Sequence, residues 1–242
     1  MNTVILIQLI LAHILTDFVF QPDSWVEKKN RSGAAASRFW IHIFLSGLLP
    51  YLLLQQWSCF AVPLFIMITH GLIDYWKITR IRRYGETKKR KYFILDQLLH
   101  LFILLLAWLY LTNSFVQVVP FLQRLFSDQH FLSLFTAVIF LIWPAGIAIE
   151  RFTESFRKQI DTSDSLKKAG MYIGILERLL VFLFILLGQY AAIGFLIAAK
   201  SILRVTGKDN DSRKKTEYVL IGTLLSFTTA ILTGLAVKGI IH

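Results

Sequence analysis

Apolar residues along this chain come in long unbroken runs rather than in alternation, and most runs are as long as a membrane-crossing helix. Runs at 3–21, 39–57, 60–77 and 93–115 fill the first half, and runs at 131–149, 170–199 and 218–238 fill the second. The pattern predicts an all-α fold, a polytopic transmembrane helical bundle of six to seven spans. It also predicts two units. Residues 1–115 make a four-helix transmembrane unit, and residues 116–242 make a C-terminal transmembrane unit of two to three spans. The connection at 116–130, with Pro120 and Arg124, reads as an interfacial segment. The run 170–199 is expected to be one long tilted span. Both its flanks are rich in Lys and Arg, so a re-entrant or two-part element is the alternative.

Composition agrees with the runs. Of 242 residues, 55% are hydrophobic and only 17% are charged, yet the formal net charge is +11. The positive residues crowd into the polar stretches between runs: Lys28, Lys29, Arg31 and Arg38 in 22–38, and a denser group from Arg80 to Lys91 in 78–92. The turn near Gln55–Cys59 has none. Basic loops stay on the cytoplasmic side of a membrane, which puts 22–38 and 78–92 there. The expected partners are therefore membrane lipids, with anionic headgroups at the basic loops, and no nucleic acid. The first run lacks a basic leader and a small-residue cleavage site, so it is expected to stay as a helix with its N-terminus outside. One cysteine, Cys59, rules out an intramolecular disulfide and a cysteine-rich zinc site.

The polar exceptions inside the runs carry the chemistry. His13 and Asp17 stand four apart in the first run, and His70 and Asp74 stand four apart in the third. Asp96 and His100 open the fourth in the reverse order. Residues four apart share a helix face. Antiparallel helices need opposite reading orders to build one layered site, and the chain supplies them. His42, early in the second run, falls at the aspartate level. The aspartates then lie roughly 5 Å and the histidines roughly 10 Å inside the apolar boundary. Ionisable groups at such depth are costly unless compensated, and a bound cation compensates imidazole and carboxylate together. His13, Asp17, His42, His70, Asp74, Asp96 and His100 are thus candidate ligands for a divalent metal, zinc best matching the donor set, with Asp17 and Asp96 also candidate catalytic bases. A metal-free hydrogen-bonded or proton-relay network is the competing reading. Gln21, Lys77 and Gln97 lie near the site, placed to orient ligands or grip a substrate, although for Lys77 an anchor reaching to the headgroups is the first reading.

In the second half, Glu177 and Arg178 lie within an apolar run, and Glu177 is expected to face the interior with a basic or hydroxyl partner. Lys200 and Arg204 read as residues that reach to headgroups. Gly222, Ser226, Ala230 and Gly234 form a small-residue ridge for close helix packing.

The set His13-x-x-x-Asp17-Phe18-x-x-Gln21, His42, His70-Gly-Leu-Ile-Asp74-x-x-Lys77 and Asp96-Gln97-x-x-His100 resembles an uncharacterised bacterial integral-membrane family, domain of unknown function 3307. The resemblance covers about the first 110 residues. Later stretches, Gly174 to Arg178, Ala198 to Ser201 and Glu217 to Thr223, resemble the second half of some members. The family implies no activity. A weaker similarity to membrane-bound metal-dependent hydrolases implies hydrolysis of an ester, amide or phosphoester presented at the membrane. The alternatives are a divalent metal ion (zinc) transporter, since paired His-x-x-x-Asp helices also resemble those of zinc-exporting carriers, and a non-catalytic membrane scaffold or sensor.

Overall fold

The computed structural model describes residues 2–85, 88–157, 169–202 and 210–241. Among these the protein is helical throughout, with no strand. It divides into two compact units, Met1–Val119 and Pro120–His242.

The first unit is a ring of four long helices: α1 (Thr3–Ile14), α3 (Ser37–Leu54), α4 (Ala61–Tyr84) and α5 (Lys89–Leu111). Each touches two neighbours, in the order α1, α3, α4, α5 and back to α1. Loop chemistry sets the corners. Asn2 caps α1 by accepting from the Val4 amide, while its carbonyl accepts from Trp108 Nε1 at 2.9 Å and ties the start of α1 to the end of α5. Gln55 ends α3 in the left-handed region, and Gly85 (φ 75°) ends α4, where a side chain would be strained. Away from the basic loops, Leu9, Leu54, Val62, Ile66, Leu104 and Ala107 close the interior with aliphatic side chains. The polar stretch 22–38 is not simply a loop. It folds into α2 (Asp23–Ser32), which packs on α3 and α4 at the basic end of the ring.

Two glycines let α3 and α4 approach. A Cβ on Gly47 would lie 2.8 Å from Met67 Cβ, and one on Gly71 would lie 2.9 Å from Ile43 Cδ1. Gly71 follows His70 directly, so the close crossing is also what brings the α3 and α4 histidines together.

α6 (Phe115–Ser127) follows α5 and buries none of its side chains. The second unit holds α7 (Gln129–Ile142), α8 (Pro144–Arg157), α9 (Ala169–Leu186), α10 (Tyr190–Ile202) and α11 (Asn210–Ile241). α11 packs against α7, α8 and α9, around Leu141, Val181, Ile185, Phe227 and Ala230. The small-residue ridge is used in part. Ala230 and Ser226 are buried, and a Cβ on Gly234 would meet Ile185 at 2.8 Å, whereas a Cβ on Gly222 would meet no neighbouring helix within 4 Å.

The run 170–199 is two helices rather than one tilted span. The break is at Gly188 (φ 70°), where the amides of Gly188 and Gln189 bond back to the carbonyls of Ile185 and Phe184. A left-handed glycine with these returning bonds ends a helix in the middle of an apolar run that hydropathy alone reads as continuous. Glu177 pairs with Lys200 of α10, which corrects the reading of Lys200 as an anchor to headgroups. Arg204 lies outside the described residues. Arg178 is buried and donates from Nε to the Leu141 carbonyl at 2.7 Å, capping the end of α7 where Pro144 interrupts the helical ladder.

Five helical segments are long and apolar enough to cross a membrane: Ser37–Leu54, Lys89–Leu111, Gln129–Arg157, Ala169–Leu186 and Thr216–Ile241. The multi-pass character therefore stands, but the expected six to seven spans is a larger number. Thr3–Val19 is shorter than the rest. α4 is long enough at 24 residues, but His70, Asp74 and Lys77 dilute its hydropathy. The residues of chemical interest weaken the very signal that would count their helix.

Candidate metal centre

Each helix of the first ring sends polar side chains inward near its basic end. His13, on the last turn of α1, is buried, as are His42 on α3, His70 and Asp74 on α4, and Asp96 and His100 on α5. Asp17 comes from an element with no sequence signature. α1 passes at Leu15 into a turn of π-helix, Leu15–Val19, whose wider spacing re-aims the residues after His13. The Asp17 side chain is only 6% exposed there, with Oδ1 3.7 Å from His13 Nδ1.

Three donors face one another without intervening protein. Asp17 Oδ1 lies 3.4 Å from His70 Nε2 and 3.7 Å from His42 Nε2, and the two imidazole nitrogens are 2.8 Å apart. A tetrahedral zinc with ligands at about 2.0–2.2 Å separates its donors by about 3.3–3.6 Å. The 3.4 Å edge falls in that range and the 3.7 Å edge lies just beyond it. The third is a hydrogen-bond distance that opens slightly once both nitrogens turn lone pairs to an ion. Two further trios, His13 with His70 and His100, and Asp17 with Asp96 and His100, also offer donor atoms within 4.8 Å of one another. The ring centroids of His70 and His100 stack at 4.0 Å, and those of His13 and His100 lie 5.2 Å apart. All seven residues singled out from the sequence thus lie in one connected cluster. It can hold a metal ion. Asp74 alone joins no donor trio.

Asp74 is committed elsewhere, to two ammonium groups. Lys29 of α2 is 2% exposed and donates to Asp74 Oδ2 at 2.6 Å. Burial pushes its ammonium below the ordinary lysine value, while the Asp74 carboxylate beside it pulls the other way. Lys77 lies 2.8 Å from both Asp74 Oδ1 and Asp96 Oδ2. That corrects the reading of Lys77 as an anchor: it bridges two carboxylates of the site instead of reaching to headgroups. Nothing in the sequence separates Lys29 from its neighbours in a basic stretch. Lys77 did carry a signal, since it stands one turn beyond Asp74 on the same face.

Gln97 is the other organiser. Its Nε2 donates to Asp17 Oδ2 at 3.1 Å and to Asp96 Oδ2 at 3.2 Å, and its Oε1 lies 3.2 Å from His13 Nε2. Gln21 Nε2 is buried with no hydrogen-bond partner. Asp17 Oδ1, Asp96 Oδ1, His42 Nδ1 and both ring nitrogens of His100 are in the same position. Buried polar atoms nearly always find partners, so their concentration in one cluster is unusual. A cavity of about 10 Å³, room for one water, lies against His13, His70 and His100 and is bordered by the hydroxyl-bearing Thr16, Ser46 and Thr69.

With this geometry in view, the chain can be set beside known proteins. A family model described as "Protein of unknown function (DUF3307)" matches residues 5–132. The chain belongs to that family. The match spans every residue of the cluster and ends at the start of the second unit. No curated protein and no solved structure matches the chain.

Proposed function

We propose that this family member is a membrane-embedded metalloprotein of the inner membrane. Its first unit holds a divalent cation, zinc best fitting the donors, on Asp17, His42 and His70, and the centre hydrolyses an ester, amide or phosphoester presented at the cytoplasmic leaflet. The observation that carries the reading is the meeting of Asp17 Oδ1, His42 Nε2 and His70 Nε2 at ion-sized separations, inside a cluster whose remaining polar atoms are already engaged or aimed inward.

Charge favours an ion. Three carboxylates against two ammonium groups leave the site one negative charge from neutral when the imidazoles are uncharged. A dication would reverse that sign, and a bound anion would offset the single positive charge left over in a buried site. The ion would supply an acidified water. Asp96, held by Lys77 and Gln97 through Oδ2, keeps Oδ1 free to take the proton. The carrier alternative needs a polar route on the other side of the ring, and there the interior is closed by Leu9, Leu54, Ile66 and Leu104.

Elemental analysis of the purified, detergent-solubilised protein tests the metal, and a panel of chromogenic esters, amides and phosphoesters with and without chelator tests the chemistry. Bound metal lost in His70→Ala but retained in His130→Ala, together with chelator-sensitive turnover, is the expected result. Metal-free protein would overturn the reading. Metal without turnover across the panel would remove the hydrolase and leave the metal centre.

A further inference from the structure

We infer that the cluster binds two divalent cations rather than one, with Asp17 as the carboxylate shared between them. The inference rests on the metal reading above; it adds His100 as a ligand and moves Asp96 Oδ1 from the role of base to that of a ligand. Asp17 turns a different oxygen to each side. Oδ1 faces His42 and His70 at 3.7 and 3.4 Å, while Oδ2 lies 3.8 Å from His100 Nδ1. His100 Nδ1 in turn lies 3.9 Å from Asp96 Oδ2, and Asp17, Asp96 and His100 offer donor atoms within 4.8 Å of one another.

An independent observation points to the same place. Both nitrogens of His100 and Oδ1 of Asp96 are buried and without hydrogen-bond partners, although their residues are only 3% and 0% exposed. The lysines and Gln97 pass them by and bond to Asp74, to Asp96 Oδ2 and to Asp17 Oδ2. An ion on the His100 side satisfies a carboxylate oxygen and an imidazole nitrogen together. A carboxylate that shares its two oxygens holds two ions about 3.5–4 Å apart, the separation that clamps both attacking and leaving oxygens of a displacement. A second dication also leaves the site strongly positive. The anionic oxygens of a substrate would offset that charge, so the pair would favour phosphoesters among the three substrate classes.

The full-length protein in detergent, stripped with chelator and reloaded with Mn²⁺, decides the matter by metal counting and electron paramagnetic resonance. Expected are two equivalents per chain with an exchange-coupled signal that inorganic phosphate perturbs. His100→Ala should hold one equivalent with an isolated-ion spectrum, and His130→Ala should match the wild type. No bound metal brings down the metal reading itself. One equivalent in the wild type, or two without coupling, overturns the pair and leaves the single-ion centre standing. A coupled pair indifferent to phosphate removes the phosphoester preference. Because the wild-type spectrum carries the decision, a variant that fails to fold does not blunt the test.

Discussion

Lys77 sits between two carboxylates that have almost no access to water, at 2.8 Å from each. Removing one member of a buried ion network strands the other charges, at a cost of about 3–5 kcal/mol. Lys77→Met is therefore expected to destabilise the protein by that order, and adding Asp96→Asn should restore a substantial part, since the amide no longer needs the ammonium. Thermal unfolding of the two single variants and the double variant in detergent measures the coupling; strictly additive losses would contradict the bridge. Asp17 and Asp74 should separate by readout. Asp17→Asn removes an oxygen that faces two imidazoles and is expected to abolish metal binding with little loss of stability. Asp74→Asn leaves two ammonium groups facing an amide and is expected to lower the melting temperature more than the metal content. Equal metal loss in both variants would place Asp74 among the ligands.

At the scale of elements, the centre depends on how closely α3 meets α4. Gly47 opposes the Cβ of Met67, an atom fixed to the helix backbone, whereas Gly71 opposes the terminal methyl of Ile43, which can rotate away. Gly47→Ala is thus expected to cost about 1–3 kcal/mol, outweighing alanine's better helix propensity. By pushing the helices apart it should also weaken metal binding, while Gly71→Ala should be milder in both respects. Denaturation and metal titration of the pair check the order; a milder Gly47→Ala would contradict this packing. The turn of π-helix at Leu15–Val19 matters in the same way, because it aims Asp17 at histidines from two other helices.

For the whole molecule, the functional proposal needs the basic end of the first ring to face the cytoplasm. Lys88, exposed beside the α4–α5 connection, is a suitable reporter. In a Cys59→Ser background, Lys88→Cys is expected to resist an impermeant thiol reagent in intact cells and to react after the membrane is opened. Labelling in intact cells would invert the topology and put the centre on the opposite face. The second unit lies largely beyond the family match, and among its described residues Glu177 pairs with Lys200 and buried Arg178 donates to the Leu141 carbonyl. Its place in the proposal is that of a membrane-embedded companion to the first.

The sequence by itself determined the helical membrane class and the set of histidines and aspartates that meet in the first unit. Both follow from short-range rules: the length of an apolar run, and the return of a helix face every four residues. Reversed order in Asp96 and His100 was legible because antiparallel packing turns depth into reading direction. Tertiary structure alone decided the rest. The inward turn of Lys29 depends on α2 folding back over the ring, which a basic stretch does not announce. The bridge made by Lys77 depends on Asp96 arriving from another helix, and without it an anchor at a helix end is the sensible reading. The π-turn and the break at Gly188 each depend on a backbone geometry that hydropathy does not encode. Which donors face each other, and which are claimed by ammonium groups, is a matter of distances of a few ångströms between helices, fixed by glycine contacts and side-chain packing rather than by spacing along the chain.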